Sequence, residues 1–308
     1  MSKFLRLTFL FYYIITIISC SHFPEDNDKL KIVCTTTQIR DLLENIGKDK
    51  IHVKALMGAG VDPHLYKATE GDVQKIFESD IVFYSGLHLE GKLESVFEKM
   101  GVYKNKTLGL GNYLPENKRI ASSDFGGNYD PHVWFDVDNF ILFAEVALKT
   151  LQELDPTNAA FYTENYFEYI HELEELKKYI EEKIQELPVE KRVLVTAHDA
   201  FSYFGKAFGF QVIGLQGIST QTEAGVKDIK KLTDFIIENN ISAIFIESSV
   251  PERTASALIA SVRAKGGEVS LGGTLYSDAL GSKGTEEGTY IGMYKYNINT
   301  IVNALKEE

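Results

Sequence analysis

Cysteine is scarce in this chain. Its 308 residues contain two, Cys20 and Cys34. Two cysteines cannot build a disulfide scaffold or a cysteine-rich zinc site, so any metal chemistry must rest on histidine and carboxylate. Positive charge is also short: 32 Lys and Arg face 44 Asp and Glu, a net −12. A nucleic-acid binder needs a basic face to neutralise phosphates, so no nucleic-acid partner is expected. Apolar runs of the roughly 20 residues that span a bilayer are missing. No solenoid repeat or low-complexity segment occurs. What remains is an ordinary globular composition, 44% hydrophobic and 25% charged, of a length that suggests two domains.

The N-terminus is a separate object. Lys3 and Arg6 precede an apolar stretch from Leu7 to Ile18, interrupted only by Thr8 and Thr16. That is too short to span and fits a signal-peptide core. It ends in Ile17-Ile18-Ser19-Cys20, which resembles a bacterial lipobox, with a plain secretory signal and an incidental Cys as the alternative. Cys20 lies where the apolar core stops and a polar linker begins, which favours lipidation. The expected division is a signal peptide at 1–19 and a lipidated linker at 20–29. Several acyl chains on Cys20 would hold the protein to a membrane. Cys34, within Lys31-Ile32-Val33-Cys34-Thr35, reads as a small hydrophobe in a buried strand.

Short apolar strands alternate with amphipathic helices through the rest. Strand patterns lie at 30–35, 51–56, 80–84, 193–197, 211–215, 242–247 and 267–271. Helical patterns lie at 38–47, 69–78, 89–100, 137–152, 226–239, 252–265 and 287–306. This alternation predicts an α/β fold of two lobes, each with a mostly parallel sheet flanked by helices. The middle differs. Asp155-Pro156 is a good helix start, and no Gly or Pro follows until Pro188. Tyr166, Ile170, Leu173, Ile180, Ile184 and Leu187 form one apolar stripe. A helix of that length, about 48 Å, exceeds the width of a small domain. A coiled-coil dimer is one reading; a rigid helix joining two lobes is the better one. The expected layout is an N-terminal lobe at 30–154, a connecting helix at 155–188 and a C-terminal lobe at 189–308, in a monomer.

The chemistry concentrates in a repeated tripeptide. Asp-Pro-His occurs at Asp62-Pro63-His64 and Asp130-Pro131-His132; chance placement gives about 0.008 copies of such a motif. Each lies in a loop after glycines, where proline stiffens the turn that presents the histidine. The Asp can bond local backbone or orient an imidazole from behind, a role open to both Asp62 and Asp130. A third histidine, His198, ends the strong strand pattern Val193-Leu194-Val195-Thr196-Ala197, and parallel sheets bind ligands beyond the carboxyl ends of their strands. A carboxylate is needed to complete a cation site. Glu247, after Ala243-Ile244-Phe245-Ile246, and Asp278, in the loop 272–281, compete on position alone. His22, His52, His88 and His171 read as solvated surface residues.

At this point a resemblance becomes specific. Asp-Pro-His-Leu-Tyr at 62–66, Asp-Pro-His-Val-Trp-Phe-Asp at 130–136, Thr-Ala-His-Asp-Ala-Phe at 196–201 and Leu-Tyr-Ser-Asp-Ala-Leu-Gly at 275–281 match, in order and spacing, the cluster A-I metal-binding lipoproteins of ABC transporters. These are TroA/ZnuA-like solute-binding proteins for zinc and manganese. The similarity runs over essentially the whole mature chain, including Gly-Leu-Gln-Gly-Ile-Ser-Thr at 214–220, Phe-Ile-Glu-Ser-Ser at 245–249 and Glu-Gly-Thr-Tyr at 287–290. It implies that His64 and His132 from one lobe, and His198 and Asp278 from the other, bind the ion. Glu247 is then expected behind a ligand. Two departures bear on the metal. Residues 65–131 hold only His88, so the His-rich loop of many zinc-specific members is absent. Many manganese-specific members have Glu where this chain has His198. Three imidazoles and one carboxylate suit tetrahedral zinc. Affinity rises from manganese toward copper, so zinc should bind more tightly in vitro, while manganese or iron remains open as cargo.

The resemblance implies extracytoplasmic capture of Zn²⁺ or Mn²⁺ (or Fe²⁺), delivered to an ABC permease from a lipid anchor, and no enzymatic activity. The rivals are a metal-dependent hydrolase, which would keep an open coordination position for water, and a surface adhesin with an incidental metal site. The long shared helix implies modest lobe closure.

Overall fold

Apolar runs of four to six residues, ended by glycine or polar loops, pair here into two sheets. The computed structural model describes residues 28–93, 96–97, 106–122 and 125–306. The expected signal peptide, and Cys20 with it, lies outside the described residues. In the first sheet β1 (Leu30–Cys34), β2 (Ile51–Ala55), β3 (Ile81–Tyr84) and β4 (Lys106–Gly109) run parallel in the order β2-β1-β3-β4. In the second, β5 (Val193–His198), β6 (Gln211–Gln216), β7 (Ala243–Glu247) and β8 (Ser270–Leu275) run parallel in the order β6-β5-β7-β8. The two orders are the same pattern written twice. Parallel strands need crossover connections, and helices supply them on the sheet faces. The fold is thus α/β with two helix-flanked parallel sheets.

The helices used below are α1 (Thr37–Gly47), α2 (Glu70–Glu78), α3 (Val137–Leu154), α4 (Ala159–Ile184), α5 (Ser202–Phe208), α6 (Val226–Glu238), α7 (Arg253–Ala264) and α8 (Tyr290–Lys306). The spine is α4. Its stripe Tyr162, Tyr169, Leu173, Leu176, Ile180 and Ile184 is buried against α1, α3 and α8. One continuous cluster of buried side chains therefore crosses from the N-terminal lobe through the spine to α8. Among the described residues no helix is long and apolar enough to cross a membrane.

Several elements differ from the sequence reading. Pro156–Asn158 is a tight 3₁₀ turn, capped by Asp155, and the α-helix proper has 26 residues, about 39 Å. Asp155 is occupied by that turn and by the Tyr162 hydroxyl, 2.7 Å away. β4 was not anticipated, because Lys106-Thr107-Leu108-Gly109 lacks an apolar run; it pairs only at the sheet edge. The seven-residue α5 is too short for a periodic signal. β8 lies three to four residues later than expected and runs through Gly272-Gly273, which read as a break. A Cβ on Gly272 would meet the Phe245 ring at 2.7 Å and Ala304 at 3.0 Å, so these glycines let β7 and α8 pack directly on the strand.

Candidate metal centre

The site is built from two kinds of support. In the N-terminal lobe both histidines stand on Asp-Pro-His turns. The backbone N–H of His64 donates to Asp62 Oδ1 at 2.8 Å, and that of His132 donates to Asp130 Oδ1 at 2.9 Å. Each Asp thereby closes an Asx turn that fixes its own histidine. In the C-terminal lobe the supports are strand ends. His198 is the last residue of β5, Glu247 the last of β7, and Asp278 follows three residues after β8.

These turns and strand ends converge. His64, His132, His198 and Asp278 are all buried and offer four ligand atoms within 4.8 Å of one another. His64 Nε2 lies 3.2 Å from His132 Nε2, and His198 Nε2 lies 3.4 Å from His132 Nε2. Asp278 places one oxygen 3.4 Å from His132 Nε2 and the other 3.5 Å from His198 Nε2. Four ligands at zinc's 2.0–2.1 Å bond length form a tetrahedron with edges of about 3.3–3.4 Å. The two imidazole–imidazole separations, 3.2 and 3.4 Å, are close to that figure, while Asp278 turns a different oxygen toward each of two rings. Asp278 Oδ1 is sealed from solvent and makes no aligned hydrogen bond among the described residues. A buried carboxylate oxygen left this way is costly unless a cation satisfies it.

Two of the imidazoles are fixed from behind. His132 Nδ1 contacts Asp130 Oδ1 at 2.8 Å. His198 Nδ1 lies 2.6 Å from Glu247 Oε2, a short contact that is not aligned as a straight hydrogen bond. Glu247 also accepts the backbone N–H of His198 at 2.8 Å. A carboxylate at Nδ1 holds the proton there and leaves the Nε2 lone pair facing the cluster. Asp130 is steadied in turn, since its carbonyl accepts the Tyr203 hydroxyl at 3.0 Å.

The electrostatics divide the three rings. Burial drives the His64 pKa down to about 3, so this ring is neutral at pH 7. Burial also opposes charge on His132, but Asp130 and Asp278 outweigh it and lift the pKa to about 9. His198 is likewise buried, and Glu247 and Asp278 hold its pKa well above the usual imidazole value. Asp278 is buried too, yet the two flanking imidazoles keep it well below the usual carboxylate range. The centre can therefore trade imidazole protons for a divalent cation while Asp278 stays ionised.

The remaining expected residues fall into place around this core. Asp130 and Glu247 sit behind ligand rings. Asp62 sits behind the His64 backbone and reaches across to the other lobe, where Thr220 Oγ1 donates to its Oδ2 at 2.6 Å. His52, His88 and His171 are not in the cluster, and His22 lies outside the described residues. Sequence reasoning passed over Trp134 and Thr220. Trp134 sets its ring edgewise to His132, 5.4 Å between centroids, and donates Nε1–H to the Ser277 carbonyl at 3.2 Å. Both residues fall inside segments quoted for the resemblance, yet nothing local marked them.

Three imidazoles and a carboxylate nested between the lobes of an α/β protein form a group that could hold a metal cation. The comparisons then specify the family. Residues 32–304 match the ZnuA family, described as the periplasmic component A of the zinc-uptake complex. The chain is 46% identical to the manganese-binding lipoprotein MntA of Bacillus subtilis (strain 168), over 91% of each chain. It is 31% identical to the manganese ABC transporter substrate-binding lipoprotein PsaA of Streptococcus pneumoniae serotype 4, over 99% of each. Among solved structures, the periplasmic zinc-binding protein TroA from Treponema pallidum superposes with a TM-score of 0.87 at 44% identity, covering 90% of this chain and 99% of that one. The chain belongs to the ZnuA family of metal-transporter solute-binding proteins.

Proposed function

We propose that this protein captures a divalent transition metal, zinc or manganese, outside the cytoplasm and hands it to an ABC permease. His64, His132, His198 and Asp278 are the ligands in this reading. Asp130, Glu247 and Asp62 orient them from behind. One observation carries it: three Nε2 atoms and one carboxylate oxygen converge with two of the rings locked at Nδ1 by carboxylates. The names of MntA, PsaA and TroA support the same function. Iron remains a candidate cargo, because geometry and supply set selectivity more than raw affinity does.

The attachment to a membrane through a lipidated Cys20, the removal of residues 1–19 and the monomeric state belong to the same proposal. The lipoprotein names of MntA and PsaA support the anchor. The expected division at 155–188 is supported by the spine helix lying between the two sheets.

Metal analysis of protein purified from its native host tests the reading directly. One equivalent of zinc, manganese or iron is expected, together with a metal-uptake defect in a deletion strain. Thermal unfolding should shift upward on adding zinc, since a ligand that binds only the folded state stabilises it. Absence of bound metal, with no zinc-induced shift and normal uptake in the deletion strain, would overturn it.

A further inference from the structure

The two lobes touch on both sides of the site, and the two sides are built differently. On the spine side the contacts are buried and numerous. Thr37 Oγ1 accepts from Leu280 N at 2.7 Å, and Gln38 Nε2 donates to the Ser277 carbonyl at 3.1 Å. Asp41 Oδ2 accepts from Tyr290 N at 3.0 Å and from the Tyr169 hydroxyl at 3.2 Å. Tyr290 and Tyr294 give their hydroxyls to the carbonyls of Trp134 and Phe135 at 2.6 and 2.5 Å. On the opposite rim, around the His64 loop, two side chains among the described residues bridge the lobes. They are Thr220, on Asp62 Oδ2, and Gln221, whose Nε2 donates to the His64 carbonyl at 3.4 Å. Backbone also approaches backbone at that rim. Gly60 takes φ +70°, with the Ser248 carbonyl 3.4 Å from where a Cβ would stand.

His64 is also held differently from its partners. Carboxylates contact Nδ1 of His132 and of His198, whereas the Asp62 carboxylate holds the backbone of His64 and spends its other oxygen on Thr220.

We propose that Thr220 and Gln221 are positioning residues that hold His64 in the ligand set, and that parting of their contacts is the opening step of cargo release. The proposal rests on the metal-capture reading. The chain of force is short. Thr220 fixes the Asp62 carboxylate, Asp62 fixes the His64 N–H, and Gln221 fixes the His64 carbonyl. Opening at this rim removes one imidazole and leaves three ligands in place. Opening at the spine would break several buried hydrogen bonds at once, which is far costlier than parting two. A permease that engages the 217–225 loop would therefore draw off His64 first.

The experiment is zinc dissociation from the full mature chain, followed by stopped flow into an excess of a chromogenic chelator. Thr220→Val should raise the off-rate about 10-fold or more, the scale set by loss of an outer-sphere partner. Thr220→Ser, which keeps the hydroxyl, should restore the wild-type rate. A purely structural role is separated by a double-mutant cycle. In a His64→Ala background Thr220→Val should leave the off-rate unchanged, because the ligand it positions is gone. An unchanged off-rate in Thr220→Val, or equal acceleration with and without His64, would overturn the proposal. Failure of the unmutated protein to bind zinc would instead overturn the metal-capture reading, and needs no variant to detect.

Discussion

The two lobes share one strand pattern and use it for different ends. In the N-terminal sheet Cys34 of β1 pairs with Phe83 of β3; in the C-terminal sheet Thr196 of β5 pairs with Phe245 of β7. Two residues further along, the equivalent positions are Thr36 and His198. Thr36 caps α1 by accepting the Ile39 N–H at 3.5 Å. His198 faces the cluster of His64, His132 and Asp278. Where the strand end caps a helix, the lobe must bring its cluster residues from elsewhere, and it brings them on two proline turns. Strand ends inherit their rigidity from the sheet ladder, whereas turns must be tied by local carboxylates. The shared topology fixes where a site can form, and the two kinds of support decide how tightly each side chain of the cluster is held.

The strongest way to break this comparison is to remove a ligand. His132→Ala should cost more than 100-fold in zinc affinity, beyond the 10–100-fold scale of outer partners. Competition titration against a chelator of known affinity measures it, and retained full affinity would remove His132 from the ligand set. A sharper test compares the supports. Asp130→Asn in the turn lobe and Glu247→Gln in the strand lobe should each weaken zinc binding about 10–100-fold with the fold intact by circular dichroism. If only Glu247→Gln weakens binding, the turn already orients His132 unaided.

Protons give a third test. At pH 7 the His132 ring, with its pKa lifted to about 9, and the His198 ring, held well above the usual imidazole value by Glu247 and Asp278, carry protons that a cation must displace, while His64 carries none. Zinc binding should therefore release protons, and affinity should fall as pH drops from 8 to 6. Calorimetry in buffers of different ionisation enthalpy counts them; no release would contradict the assignment. The linkage also has a stability side. A His whose folded pKa is raised stabilises the fold fully below its unfolded value near 6.5. That contribution is lost as pH rises toward about 9. Metal-stripped protein should accordingly lose stability to urea over that window.

The smallest effect separates surface from spine. Lys283 pairs with Glu44 across the lobes at 2.7 Å, but both side chains are substantially exposed, 70% and 36%. Lys283→Ala should change stability by no more than about 0.5 kcal/mol. Tyr290→Phe, which leaves the buried Trp134 carbonyl without its donor, should cost about 1–3 kcal/mol. Urea denaturation of the two variants side by side ranks them.

How much of this was legible follows from range. His64 and His132 announce themselves by a local tripeptide, and His198 by the end of a strong strand. Strand–helix alternation likewise carried the two-lobed α/β fold. Asp278 and Glu247 were level on position, and only the family resemblance favoured one as ligand. The geometry supplies the physical reason: Glu247 lies behind His198 and contacts its Nδ1, while Asp278 faces the Nε2 atoms. Thr220 was beyond reach, because its partner Asp62 is 158 residues away. Gly272 and Gly273 misled for a related reason. Glycine reads locally as a break, and only the packing of α8 on β8 reveals it as clearance.

One feature outside the site bears on where such a protein works. Cys34, at the end of β1, is fully buried, and burial pushes its thiol pKa far above the usual range. The thiolate is the form that attacks disulfides, meets peroxide and grips soft metals. This sulfur is thereby withdrawn from redox exchange with its surroundings. It is equally withdrawn as a soft ligand that could compete with the imidazole cluster.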